Sequence, residues 1–184
     1  MQVSSRQMTA PALQAVLADG VLTGEWILDP RRSSVGLKSR SLGGLVRVNG
    51  VFQEAYGDGI VSPDGEVSGT LTVTAASIDT NNTRRDTHLR SADFFDSDNC
   101  PDITFTAETV RPSDQGLAVT GTLTVRGRTR PLSLDASATV RGDGEVCLDA
   151  EVIINRADFG LTWNPMSMAS MNNTLTIHAT FTRW

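Results

Sequence analysis

From Glu66 to the C-terminus the sequence alternates. Val67, Leu71 and Val73 fall on one side of a segment whose other side is Ser68, Thr70, Thr72 and Thr74. The same pattern returns in Ile103, Phe105 and Ala107; in Leu117, Val119, Leu123 and Val125; and in Leu132, Leu134, Ala136, Ala138 and Val140. It returns again in Val146, Leu148, Ala150, Val152 and Ile154, and in Leu175, Ile177, Ala179 and Phe181. A period of two sends alternate side chains to opposite faces, which is the signature of a strand buried on one side. The turns between these segments, Asp114-Gln115-Gly116, Arg126-Gly127-Arg128 and Gly142-Asp143-Gly144, are too short for a crossover, so neighbours are antiparallel hairpins. Upstream, Trp26 to Asp29 and Val35 to Ser41 read as short strands broken by Pro30, and Val46, Val48 and Phe52 alternate along a third. Gly57-Asp58-Gly59 and Pro63-Asp64-Gly65 read as turns. About eight one-sided strands in succession predict an all-β fold, an up-and-down barrel or a sandwich.

The inward positions are small. Gly69, Ala75, Ala107, Gly121, Ala136, Ala138, Ala150 and Ala179 fall there, and only Phe105 and Phe181 place an aromatic ring among them. An eight-stranded barrel either fills itself with side chains or encloses one small ligand. A solid interior would need bulkier residues to reach native density. The pattern therefore points to an apolar cavity lined by Val73, Phe105, Leu123, Leu134, Ala136, Leu148, Val152 and Ile177.

One long segment, Ser77 to Pro101, does not alternate and carries Arg84, Arg85, Asp86, His88, Arg90, Asp93, Asp96 and Asp98 around Phe94 and Phe95. Thr83 followed by Asp86 resembles a capping box, so Arg84 to Arg90 is expected to be a short helix. Phe94 and Phe95 are expected to plug one barrel end, with Asp93 and Asp96 accepting backbone N–H bonds in the turn. On a second reading Arg84, Arg85 and His88 face a ligand head group, through charge-assisted bonds from arginine. Trp163 to Met171, rich in Met166, Met168 and Met171, reads either as a loop under the rim or as a pliable lip at the entrance, with Trp163, Met166 and Met168 nearest it. At the N-terminus, Met1 to Met8 reads as a frayed tail. A short helix follows, with Thr9 as cap, Pro11 in its first turn, Gly20 as stop and Leu13, Val16 and Leu17 on one face. It lies over the barrel or acts as a lid.

The formal net charge is -5, which argues against a nucleic-acid partner. Cys100 and Cys147 make no disulfide framework, and their combination with His88 and His178 lacks zinc-ligand spacing. No cofactor, metal or nucleophile motif is legible. The first twenty residues lack a signal-peptide pattern, and no apolar run approaches the ~20 residues of a membrane span, so a cytoplasmic protein is expected.

Several stretches together resemble the YceI-like family, described as polyisoprenoid- or lipid-binding proteins. They are W-x-L-D-P at Trp26 to Pro30, S-S-V at Ser33 to Val35, A-S-I-D-T-x-x-x-x-R-D-x-H-L-R-S-x-D-F-F-D at Ala76 to Asp96, G-T-L-T-V-R-G-x-T-R-P-L at Gly121 to Leu132, and N-R-x-D-F-G at Asn155 to Gly160. The resemblance implies an extended, lipocalin-like antiparallel barrel over residues 24–184, after a tail and short helix over 1–23. It also implies an elongated apolar ligand, isoprenoid or fatty-acid-like, held in the interior for binding, transport or sequestration. Members commonly form dimers, and many are exported. Arg31 and Arg32 stand where relatives often carry a histidine before the serine pair. Two rival expectations stand beside the carrier: an enzyme folding and cyclising or isomerising a hydrophobic substrate with His88 or Asp86 as acid or base, and a structural or stress protein without ligand.

Overall fold

The computed structural model describes residues 7–142, 144–164, 166 and 168–184. Helix α1 (Ala10–Ala18) precedes β1 (Gly24–Leu28), β2 (Ser34–Ser41), β3 (Val46–Phe52), β4 (Ala55–Val61), β5 (Val67–Thr74) and the two-residue β6 (Ile78–Asp79). Helix α2 (Thr83–Arg90) lies within the long crossing, and β7 (Asp102–Ser113), β8 (Gly116–Val125), β9 (Arg128–Arg141), β10 (Glu145–Asn155) and β11 (Asn172–Arg183) complete the chain.

Eight strands close on themselves in the order β1-β4-β5-β7-β8-β9-β10-β11, with β11 returning to β1 and every pairing antiparallel. Closure removes the exposed edges that an open sheet would leave. β11 is long enough to serve two partners. Phe181 to Arg183 pair with β1, and Thr174 to His178 pair with β2. β1 and β2 are thus two halves of one bent strand, and β3 and β4 two halves of its neighbour; β6 extends the β2–β3 side.

The first bend falls at Pro30, which lacks an N–H for the ladder. Ser33 Oγ donates to Asp29 O at 2.7 Å and accepts from Thr180 N at 3.0 Å, tying the bend to β11. Arg32 Nε donates to Asp29 Oδ2 at 2.7 Å and its Nη1 to Glu145 Oε2 at 2.5 Å. Arg32, just ahead of the serine pair, therefore staples the bend to the start of β10.

Two expectations about glycines are corrected. Gly57 and Gly59 lie inside β4 rather than in a turn. A Cβ on Gly57 would stand 2.5 Å from Thr70 O of the neighbouring strand, so glycine permits the tight coiling there. Gly121 is small for the same reason, since a Cβ would approach Thr106 O to 2.0 Å. Close strand approach, and not interior space, fixes that residue. Beside it the β7–β8 register slips at Glu108: Ala107 opposes Gly121, and Thr109 opposes Thr120. This bulge restores an inward direction to Val110, which strict alternation from Phe105 would have turned outward.

α1 covers one end of the barrel, here the upper end. Pro11 stands in its first turn and Gly20 adopts the left-handed conformation after it, at φ 71°. Thr9 precedes the helix without a side-chain cap bond. Leu13 is buried with Leu117, Val119, Ala136 and Ala138, and Leu17 and Val16 pack toward Leu22, Trp26 and Val61. Met8 is not frayed: its N–H donates to Ala138 O at 2.9 Å. Met1 to Arg6 lie outside the described residues, as does Asp143 of the β9–β10 turn.

Candidate functional site

The barrel holds two apolar cavities, one toward each end, that share part of their walls. The upper one, about 180 Å³, lies under α1 and is bounded by Leu13, Trp26, Val119, Ala136, Leu148 and Phe181 among others. The lower one, about 70 Å³, is bounded by Val35, Phe52, Val73, Phe95, Leu123 and Leu175 among others. Leu71, Phe105 and Ile177 face both.

Phe105, Leu134, Ala136, Leu148 and Ile177 line the upper cavity, and Val73, Leu123, Phe105 and Ile177 the lower. Val152 lines neither; it sits on the inward face of β10 between Ala150 above and Ile154 below. Of the small inward residues, Gly69, Ala107, Ala136, Ala138, Ala150 and Ala179 border the upper cavity. Ala75 does not, because it belongs to a buried 3₁₀ turn after β5.

The crossing closes the lower end. Its helix starts one residue earlier than the capping-box reading placed it: Asn82 is the cap, and its Oδ1 accepts from Arg85 N at 3.0 Å. Asp86 is buried and turns back instead, its Oδ1 accepting from Thr80 N at 3.0 Å and from Thr80 Oγ1 at 2.6 Å. Arg85 completes this cluster, donating from Nε to Thr80 Oγ1 at 2.7 Å and from Nη2 to Thr80 O at 2.9 Å. Arg84 is exposed, and neither arginine lines the cavities.

Phe95 is buried against Phe52, with ring centroids 6.0 Å apart, and meets Phe94 edge-on at 4.9 Å. Asp96 takes its bonds differently from the expectation. Its carboxylate accepts from Asn99 Nδ2 at 2.9 Å, while its main-chain oxygen receives the N–H groups of Asn99 and Cys100. Asp93 points to solvent, and its N–H donates to Ser91 Oγ.

His88 and Trp163 meet, as neighbours at the lower rim, with ring centroids 4.1 Å apart. His88 Nε2 lies 3.8 Å from Asp93 Oδ2, beyond hydrogen-bond reach, and is buried without a partner among the described residues. His88 and Asp86 do not share a cavity, since Asp86 is spent on Thr80 and His88 borders neither interior space. Met166 and Met168 are exposed at the rim, and Met168 O accepts from Leu42 N at 2.7 Å. Pro165 and Ser167 of the same loop lie outside the described residues.

The strongest polar feature of the interior is one that strand alternation could not locate. Arg156 is only 3% exposed and lines the lower cavity. It opens a 3₁₀ turn, Arg156–Phe159, directly after β10. Nε donates to Ser170 O at 3.1 Å, and Nη1 to Leu161 O at 2.5 Å and Trp163 O at 3.0 Å. The guanidinium also lies over the Phe94 ring, 5.5 Å from its centroid. Burial lowers its pKa, and no carboxylate among the described residues pairs with it. Its N-R-x-D-F-G motif was the only sequence signal pointing to it.

An eight-stranded antiparallel barrel with a helix over one end, a plugged second end and an apolar interior defines a lipocalin-like class of cavity proteins. Within that class, the YceI-like domain model matches residues 26–182, and the chain belongs to the YceI-like family. Protein YceI of Escherichia coli O6:H1 is 44% identical over 73 residues, 40% of this chain and 38% of that protein. Protein YceI of Salmonella arizonae is 37% identical over 97 residues, 50% of this chain and 51% of that protein. These alignments thus span about half or less of the curated relatives. Among solved structures, Burkholderia cenocepacia BcnA aligns at a TM-score of 0.76 and 21% identity, over 83% of this chain and 98% of its own. A polyisoprenoid binding domain from Saccharophagus degradans aligns at 0.71 and 18%, over 86% and 98%. The Campylobacter jejuni YCEI protein aligns at 0.67 and 27%, over 76% and 87%. No helix among the described residues is long and apolar enough to cross a membrane.

Proposed function

We propose that this protein binds an elongated apolar molecule, isoprenoid or fatty-acid-like, inside the barrel, as a carrier or sequestering protein. The observation that carries the reading is the upper cavity, about 180 Å³ bounded by apolar side chains. An apolar cavity of about 150 Å³ stays dry and takes up apolar guests, because water inside it would find no hydrogen-bond partners. The gain on filling it is about 25 cal/mol per Å² of apolar surface removed from water, before the costs of association. Membership of the family and the fold shared with a polyisoprenoid binding domain support the same reading.

The two cavities together fall below the roughly 300 Å³ at which small-molecule sites usually begin. A long chain therefore needs one end to open. α1 is the natural door: it contributes Leu13 and Leu17 to the cavity wall and is held mainly by apolar contacts, whereas the lower end is stapled by the Asp86–Thr80–Arg85 cluster. Native mass spectrometry of freshly purified protein, followed by solvent extraction, tests the proposal. An apolar adduct released chemically unchanged is expected. Protein that arrives empty and takes up no added lipid would sink it.

A further inference from the structure

We propose that Arg156 reads an anionic head group, so that the ligand is an apolar chain ending in a carboxylate, with its head in the lower cavity and its chain passing Phe105 into the upper one. This rests on the reading of the barrel as a carrier of apolar chains. The argument begins with the guanidinium's donors. Five N–H groups are available, and the carbonyls of Ser170, Leu161 and Trp163 engage Nε and both protons of Nη1. Nη2 is left without a partner among the described residues.

The charge is also left over. The partners are neutral carbonyls, and arginine stays protonated even when buried. A buried cation with no anion beside it is costly, and its normal remedy is an opposite charge within hydrogen-bond reach. The cavity that Arg156 faces is otherwise apolar except for Asn173, whose amide supplies a second donor. The register accounts for both lining this cavity: Asn173 opposes Ile154, and Arg156 follows Ile154 by two residues. At about 70 Å³ the lower cavity suits a head as small as a carboxylate rather than a diphosphate. The geometry also explains why Arg84 and Arg85 are poor head-group candidates, since Arg85 is committed to Thr80 and Arg84 faces outward.

The test pairs dodecanoic acid with 1-dodecanol, titrated calorimetrically at pH 8 into the wild-type chain, Arg156→Met, Asn173→Val and Arg85→Ala. The wild type is expected to bind the acid about tenfold or more tighter than the alcohol, the span of a charge-assisted hydrogen bond. Arg156→Met should bring the ratio close to one with the alcohol little changed, Asn173→Val should reduce it, and Arg85→Ala should leave it as it was. Equal wild-type affinities for acid and alcohol would overturn the head-group assignment while leaving the carrier reading in place. A preference that survives in Arg156→Met would overturn it too. Uptake of neither ligand would overturn the carrier reading and this assignment with it. Arg156→Met also removes three carbonyl bonds, so if that variant fails to fold the decision passes to Asn173→Val, where an unchanged ratio would count against the proposal.

Discussion

Phe94 and Phe95 are neighbours in sequence but not in environment. Phe95 sits in the lower core with Phe52, Val73 and Ile78, whereas Phe94 is half-buried and serves as the platform under Arg156. Phe95→Ala should therefore cost about 3–5 kcal/mol in denaturant unfolding, and Phe94→Ala clearly less, because the first leaves a cavity and the second only uncovers a surface. Asp86 belongs to the same scale. Its removal leaves the Thr80 N–H and the Thr80 hydroxyl proton without their acceptor in a buried place, so Asp86→Ala should cost about 1–3 kcal/mol. Were Asp86 an acid or base, its loss would change chemistry without changing the unfolding midpoint, and the two measurements separate these roles.

Among the elements, the bent strand β1–β2 is tied at its bend by ion pairs of Arg32 with Asp29 and Glu145. Its hydrogen bond from Arg32 holds the Asp29 carboxyl below its ordinary range, and the hydrogen bond from Arg32, aided by Arg141, does the same for Glu145. A carboxyl with a lowered folded pKa favours the folded state above its unfolded value, near pH 4, and that contribution disappears as pH falls through the lowered value. The melting temperature is therefore expected to drop on acidification below about pH 4. Arg32→Ala should flatten this dependence, as followed by melts across pH 2–7. α1 behaves differently, as a hydrophobic latch. Leu13→Asp is expected to raise hydrogen exchange of the α1 amides while β8 and β9 keep their protection; loss of protection throughout would show that the helix is part of the cooperative core.

For the whole molecule, the interior decides the function. Ala136 is nearly inaccessible and borders the upper cavity. If that space is available to a ligand, Ala136→Trp should fill it, abolish lipid uptake and leave the unfolding transition cooperative. If the barrel cannot yield there, the same substitution overpacks it and lowers stability by about 1–3 kcal/mol or more. Uptake assays and thermal melts on the same preparation distinguish the outcomes.

Alternation alone determined the all-β class, the hairpin order and the inward residues named for β5 and β7 to β11, because a period of two is local; beyond the bulge at Glu108 it no longer holds, and Val110 turns inward against it. The crossing and its two phenylalanines were legible as an interruption of that period. Three things were not. The glycines of β4 and Gly121 looked like a turn and a cavity wall, and only the neighbouring strand's carbonyl oxygens reveal why no Cβ fits. That Leu71, Phe105 and Ile177, from three strands, face both cavities is something no single strand's pattern records. Arg156 is marked in the sequence only by its place in N-R-x-D-F-G, which says nothing of its burial. Its burial is decided by a 3₁₀ turn and by the carbonyls of Leu161, Trp163 and Ser170, backbone groups every residue possesses and which therefore leave no mark in the amino-acid sequence.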